Sequence, residues 1–126
     1  MKAKTKQPKD GPYTEYFKDG SVSCEGTYVN GAKTGEWKYF LLNSKLKAIG
    51  RFENNKMIGA WTWYRENGEL MQTGSFDENE GKIGNWKRYH PNGKLYDEGE
   101  FVNSKKAGEW KIYDEQGELL KTSLHK

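Results

Sequence analysis

The sequence predicts an all-β chain, an elongated, twisted antiparallel sheet made of five tandem β-hairpin repeats. Three observations predict it. The chain resembles itself at a period of about 24 residues. Each copy carries a tight-turn dipeptide such as Asp19-Gly20, Asn67-Gly68 or Asn92-Gly93 between two short apolar stretches. Aromatic residues make up 14% of a chain that is only 33% hydrophobic. That balance suits a thin body burying one row of large rings, and it argues against disorder, which is poor in aromatics.

The copies open at Gly11, Gly35, Gly59, Gly84 and Gly108. Two residues further on stand Tyr13, Trp37, Trp61, Trp86 and Trp110, and five further on Tyr16, Phe40, Tyr64, Tyr89 and Tyr113. A turn position follows at Gly20, Ser44, Gly68, Gly93 and Gly117, then an aliphatic at Val22, Leu46, Leu70, Leu95 and Leu119. Gly26, Gly50, Gly74 and Gly99 come next, and Tyr28, Phe52, Phe76 and Phe101 close the pattern. Thirteen of the 15 glycines and four of the five tryptophans fall on these ladders, so the repeat is the organising feature of the chain.

Each copy reads as a strand carrying the Trp, a turn, and a second strand. The Asn-Gly and Asp-Gly pairs predict type I′ turns within the hairpins, because both central positions of that turn need positive φ. On the second strand the aliphatic, the ladder glycine and the last aromatic have the same parity, which predicts one shared face. A glycine there leaves room for a large ring from a neighbouring strand. The segments Tyr28–Gly35, Phe52–Gly59, Phe76–Gly84 and Phe101–Gly108 read as connections between hairpins. The extra residue of the third copy falls in such a connection, where an insertion costs least. Ser123 and His125 replace the final Gly and aromatic, which suits a terminal cap or a half-formed strand. At two strands per copy, the array lengthens by roughly 10 Å per repeat and offers a long face.

The domain reading is a basic, disordered tail over residues 1–10 and a single repeat domain over 11–126. The tail holds Lys2, Lys4, Lys6 and Lys9 against Asp10, which equals the whole formal charge of +3. Removing four from 21 basic residues and one from 18 acidic ones leaves 17 of each sign. A neutral body argues against a nucleic-acid partner, which needs clustered excess Lys and Arg. Cys24 is the single cysteine, so no internal disulfide is expected. No secretory signal or membrane-spanning run is visible, and a cytoplasmic location is expected.

No catalytic, cofactor-binding or metal-binding residues are expected. His90 and His125 are the only histidines, and no short-spaced Cys/His/carboxylate cluster accompanies them. Cys24 has the parity of the packed face and reads as a small buried thiol rather than a nucleophile. The candidate partner-binding residues are Trp63, Tyr96, Lys38, Lys87 and Lys111. Trp63 and Tyr96 are large rings with no counterpart on the ladders, as Leu42, Met57, Ile58 and Ile83 are apolar residues at polar offsets. Lys38, Lys87 and Lys111 share an offset with Thr14 and Thr62, and their parity places them beside the rings of Tyr16 to Tyr113. Such a row suits a partner contact or a solvated face over half-buried rings, and the second is favoured because those rings recur in every copy. Trp37, Trp61, Trp86 and Trp110 are structural.

The pattern from Tyr28-Val29-Asn30-Gly31 to Gly35-Glu36-Trp37, repeated at Gly84-Asn85-Trp86-Lys87-Arg88-Tyr89 and Pro91-Asn92-Gly93-Lys94-Leu95, resembles the MORN repeat in its bacterial variant, the YwqK-like antitoxin-type family. The resemblance covers residues 11 to about 122. It implies a sheet of successive hairpins and a function in scaffolding, phospholipid association or toxin–antitoxin and immunity pairs. The expected function is therefore a non-enzymatic protein-binding module, with an antitoxin or immunity role as its specific form. The alternatives are an array on anionic lipid and a scaffold that self-assembles edge to edge.

Overall fold

The computed structural model describes residues 10–126, and every regular element in it is a strand. The lysines of the tail fall at residues 1–9, outside the described residues. Ten strands follow one another: β1 (Gly11–Tyr16), β2 (Val22–Val29), β3 (Ala32–Phe40), β4 (Leu46–Glu53), β5 (Lys56–Tyr64), β6 (Leu70–Phe76), β7 (Lys82–Tyr89), β8 (Leu95–Val102), β9 (Lys105–Tyr113) and β10 (Leu119–His125). They form one antiparallel sheet in sequence order, which does not close on itself. The segments expected to connect hairpins are themselves strands joined by tight turns, so the chain is a continuous meander. β10 reaches His125 and pairs with β9 along its length, although its ladder glycine and aromatic are missing.

Two turn types alternate, and they fall the opposite way from the sequence expectation. Inside each hairpin the turn is three residues long. Gly20 N donates to Phe17 O at 2.9 Å, and Phe17 N to Ser21 O at 2.8 Å. Only its last residue is left-handed, with φ +92, +93, +91 and +93 at Gly20, Gly68, Gly93 and Gly117. In the first four hairpins the preceding Asx keeps negative φ and its side chain accepts a backbone N–H two residues on, as Asn67 Oδ1 does from Glu69 N at 2.9 Å. In the last, Gln116 precedes the glycine and Asp114 Oδ1 accepts from Glu118 N at 2.8 Å. The turns with two positive-φ residues lie between hairpins instead, at Asn30-Gly31, Asn54-Asn55 and Asn103-Ser104. The third junction carries the inserted residue and widens to a three-residue loop ending at Glu80 with φ +62.

Ser44 stands where the other hairpin turns have glycine, and it takes φ +70. A side chain held left-handed costs roughly 1–2 kcal/mol. Ser44→Gly is therefore expected to stabilise the chain by about 1 kcal/mol, read as a higher urea midpoint at unchanged slope.

The turns are stitched to those of the next copy on both sides of the sheet. Asn43 Nδ2 donates to Glu66 O at 3.1 Å, Arg65 Nη2 to Tyr89 O at 2.7 Å, and Asn92 Nδ2 to Glu115 O at 2.8 Å. At the other end, Lys33 N donates to Asn55 Oδ1 at 2.8 Å and Lys82 N to Ser104 Oγ at 2.9 Å.

Every hairpin also contains a β-bulge on its second strand. Tyr39 pairs with Ala48 but Phe40 with Leu46, which leaves Lys47 extra. Ser23, Met71, Tyr96 and Leu120 occupy the same place in the other copies. The extra residue reverses the parity at that point. Directly paired residues share a face, so Val22, Leu46, Leu70, Leu95 and Leu119 go with Tyr16, Phe40, Tyr64, Tyr89 and Tyr113. The ladder glycines go with the tryptophans on the other side. The face shared by aliphatic, glycine and aromatic does not exist, because the sequence count does not register a bulge.

The core is the indole row. Trp37, Trp61, Trp86 and Trp110 are 0%, 2%, 4% and 4% exposed. Each ring lies over the ladder glycine of the preceding strand, at Gly26, Gly50, Gly74 and Gly99, where a Cβ would fall inside the indole. Each indole Nε1–H donates to the carbonyl of the residue after that glycine, namely Thr27, Arg51, Ser75 and Glu100, at 3.0–3.2 Å. A large ring thereby buries its area without stranding its one polar atom. Phe52, Phe76 and Phe101 stand edge-on between successive indoles, and Tyr28 between Tyr13 and Trp37, with centroids 5.1–5.3 Å from the nearer indole.

Candidate functional site: the indole face

Three parallel rows of side chains share the indole face. The central row alternates Trp with Gly and is the same in every copy except at its two ends, where Tyr13 stands for the Trp and Ser123 for the Gly. A second row holds Tyr28, Phe52, Phe76 and Phe101, with Lys33, Met57, Lys82 and Lys106 placed two residues before each opening glycine. The third follows the ladder pairs through Glu15, Cys24, Tyr39, Ala48, Trp63, Gln72, Arg88, Asp97, Ile112 and Lys121. No residue type occurs twice in that row. The frame repeats and this line of it does not.

The third row changes character along the array. Cys24 is 7% exposed, with its Sγ 3.7 Å from Glu15 Oε1. Burial, with the Glu15 charge beside it, pushes its thiol pKa up, so the reading of Cys24 as a small buried thiol holds. Lys33 Nζ donates to Tyr39 Oη at 2.9 Å and lies 4.9 Å from the centroids of Trp37 and Phe52. Burial opposes its charge, but the hydrogen bond and the neighbouring hydroxyls leave its pKa above the usual lysine value.

Towards the middle the row is apolar: Trp63 stacks on Trp61 at 6.0 Å and on Trp86 at 5.9 Å, bridging two copies. Beyond Gln72 it is ionic. Asp97 is 3% exposed, and Arg88 meets it with Nη2–Oδ2 at 2.7 Å and Nε–Oδ1 at 3.1 Å. The hydrogen bonds to Asp97 hold the Arg88 pKa above its ordinary value.

A cavity of about 280 Å³ opens over this ionic end, lined by Gln72, Lys82, Trp86, Arg88, Asp97, Phe101, Lys106 and Trp110. Lys82 Nζ lies 5.0 Å from the centroids of both Trp86 and Phe101, and Lys106 Nζ 4.7 Å from that of Trp110. A shallower apolar depression lies over Tyr39, Ala48, Met57 and Trp63.

The expected partner-binding residues do not form one site. Trp63 is on the indole face, half-buried in the aromatic stack, at an offset whose other members are Glu15, Tyr39, Arg88 and Ile112. Tyr96 is the bulge residue of its hairpin, 36% exposed, with its ring 5.0 Å from both the His90 ring and the Arg88 guanidinium carbon. Lys38, Lys87 and Lys111 are on the opposite face, in ladder pairs with Glu25, Glu98 and Glu98. There the alternating charges balance across strands, and Tyr113 Oη donates to Glu98 Oε2 at 2.9 Å.

Sequence reasoning missed Lys33, Lys82, Lys106, Arg88 and Asp97. The recurrence of lysine two residues before the opening glycine was visible, but it lay in segments read as connections. Among the described residues no group of three or more His, Cys, Asp or Glu is placed to hold a metal ion, and no helix is long and apolar enough to cross a membrane.

No curated protein matches the chain. A family of repeats does. The profile of the MORN repeat variant matches residues 9–30, 33–54, 57–78, 82–103 and 106–126. Each match spans one hairpin and breaks at a tight turn between hairpins, as the repeat in the fold does. Five consecutive matches cover most of the chain, which therefore belongs to the MORN repeat variant family.

Proposed function

We propose that this chain is a non-enzymatic protein-binding repeat module that binds through its indole face, and that an antitoxin- or immunity-type pairing is the specific form of that role. The observation that carries the reading is the third row from Glu15 to Lys121, varied at every step beside rows that repeat. Selection for folding alone calls for the indole–glycine frame. A varied line of aromatic, apolar and charged groups along a rigid strip is what a repeat array uses to recognise one extended partner.

The test is a tagged capture from cell lysate at moderate salt, read by mass spectrometry. The wild type is expected to retain one stoichiometric protein, and Trp63→Ala to lose it while keeping its far-ultraviolet spectrum. A blank capture, or one unchanged by Trp63→Ala and by Tyr96→Ala, counts against the reading.

Edge-to-edge self-assembly is the second reading. β1 and β10 each pair on one side only among the described residues, and Leu119, Leu120 and Leu124 of β10 are exposed. A light-scattering mass that stays monomeric at high concentration would remove it.

A further inference from the structure

We propose that the cavity at the ionic end of the indole face receives an acidic side chain of the partner polypeptide, held between Lys82 and Lys106. This deepens the protein-binding reading and rests on it. The charge arrangement carries it. Among the described residues the one ion pair is Arg88–Asp97, so Arg88 is already engaged by two hydrogen bonds to a buried carboxylate. Lys82 and Lys106 line the same cavity with no carboxylate within 4.0 Å. Phe101 lies between them, paired with Lys106 in the ladder and 5.0 Å from Lys82 Nζ.

An ammonium over a ring face turns one side to the ring and keeps N–H donors for another acceptor. The ring floor of Trp86, Phe101 and Trp110 excludes water from one side, which strengthens a charge-assisted bond made there. Counting the side chains of this end of the face, Lys82, Arg88, Lys106 and Lys121 against Asp97 leave a local charge of +3.

Arg88 already holds Asp97, so Lys82 and Lys106 are the donors left on the cavity wall for an incoming carboxylate. The apolar depression over Met57 and Trp63 lies about three to four strand spacings away, roughly 15–17 Å. An extended chain covers that distance in about five residues. The segment that fits both is an extended one crossing the strands, with an aliphatic residue about five positions from its acid.

The probe is a capped peptide, acetyl-Leu-Ser-Gly-Ser-Gly-Glu-amide, added to the full chain while the indole N–H resonances are followed. Trp86 and Trp110 are expected to shift and Trp37 to stay. Replacing Glu by Gln in the peptide, or Lys82→Gln with Lys106→Gln in the protein, is expected to weaken binding at least about tenfold. The double variant keeps its strand spectrum, because neither lysine is the partner of a buried charge.

No shift at millimolar peptide, equal binding of the Gln peptide, or undiminished binding by the double variant overturns the proposal. Inorganic phosphate or phosphatidylserine vesicles shifting the same indoles at equal affinity also overturns it, and assigns the cavity to anions or to a lipid surface. If lysate capture succeeds equally with wild type and double variant, this site is wrong and the binding module stands. If the peptide binds as expected and no protein is ever captured, the site stands and the module reading falls.

Discussion

Gly50→Ala is expected to destabilise the chain by at least about 3 kcal/mol and to lower Tm by on the order of 10 °C. A Cβ at Gly50 falls inside the indole of Trp61, a ring 2% exposed whose Nε1–H is fixed to Arg51 O at 3.1 Å. The ring cannot retreat without stranding that donor and parting from Phe52, 5.2 Å away. Gly59→Ala is the control. It has φ +69 but nothing within 4 Å of its Cβ, so it pays only the left-handed cost of about 1–2 kcal/mol. In a Trp61→Ala background the cost of Gly50→Ala is expected to fall below about 1 kcal/mol, because the obstacle is gone. Thermal unfolding of the wild type and these four variants decides it. Equal losses for Gly50→Ala with and without Trp61 would show that the glycine is kept for some other reason than the indole.

The second large effect is expected at Arg88. Arg88→Met leaves the Asp97 carboxylate, 3% exposed, without its partner and is expected to cost about 2–4 kcal/mol. The lower end of that range applies if water enters beside the truncated side chain, since Arg88 is itself 51% exposed. Adding Asp97→Leu to Arg88→Met is expected to restore most of the loss, because an apolar pair on this aromatic floor needs no desolvation of charge. Urea unfolding of the two single variants and the double gives the coupling. A double variant no more stable than Arg88→Met would mean that Asp97 holds its neighbours through something other than Arg88.

Trp63 shows where reading from residues stopped. It has no Trp counterpart in other copies, so it reads as off-pattern and available to a partner. In the sheet its position is part of a row of its own, whose varied members pair across adjacent strands, alternately 9 and 15 or 16 residues apart in sequence. A one-dimensional alignment ranks positions by how alike the copies are, and a row that differs in every copy leaves no signal. Arg88 and Asp97 escaped for the same reason. Nine residues separate them, on two strands whose register depends on the bulge at Tyr96. Lys38, Lys87 and Lys111 did form a visible ladder. Their ladder partners, Glu25 and Glu98, became apparent only once adjacent strands were in register.

The turns teach a narrower lesson. Within the hairpins the Asx of the Asn-Gly and Asp-Gly pairs accepts a backbone N–H and the glycine alone goes left-handed, whereas Asn30-Gly31, between hairpins, does make the two-residue turn. The pair Asn103-Ser104, with no glycine, makes that same two-residue turn, φ +51 and +67. The strand twist at the repeat junction demands that geometry, and the stitching of Ser104 to Lys82 of the preceding copy supports it.

The amino-acid sequence by itself determined the period, the number of copies, the all-β class and the match between large rings and glycines. All of these are local or repeated, so each copy states them again. Which face each ladder takes, which lysines remain without a carboxylate, and which varied residues line one cavity were decided only by the tertiary structure. A bulge inverts every side chain beyond it relative to a simple alternation, and strand pairing brings together residues that the chain itself keeps up to 17 positions apart.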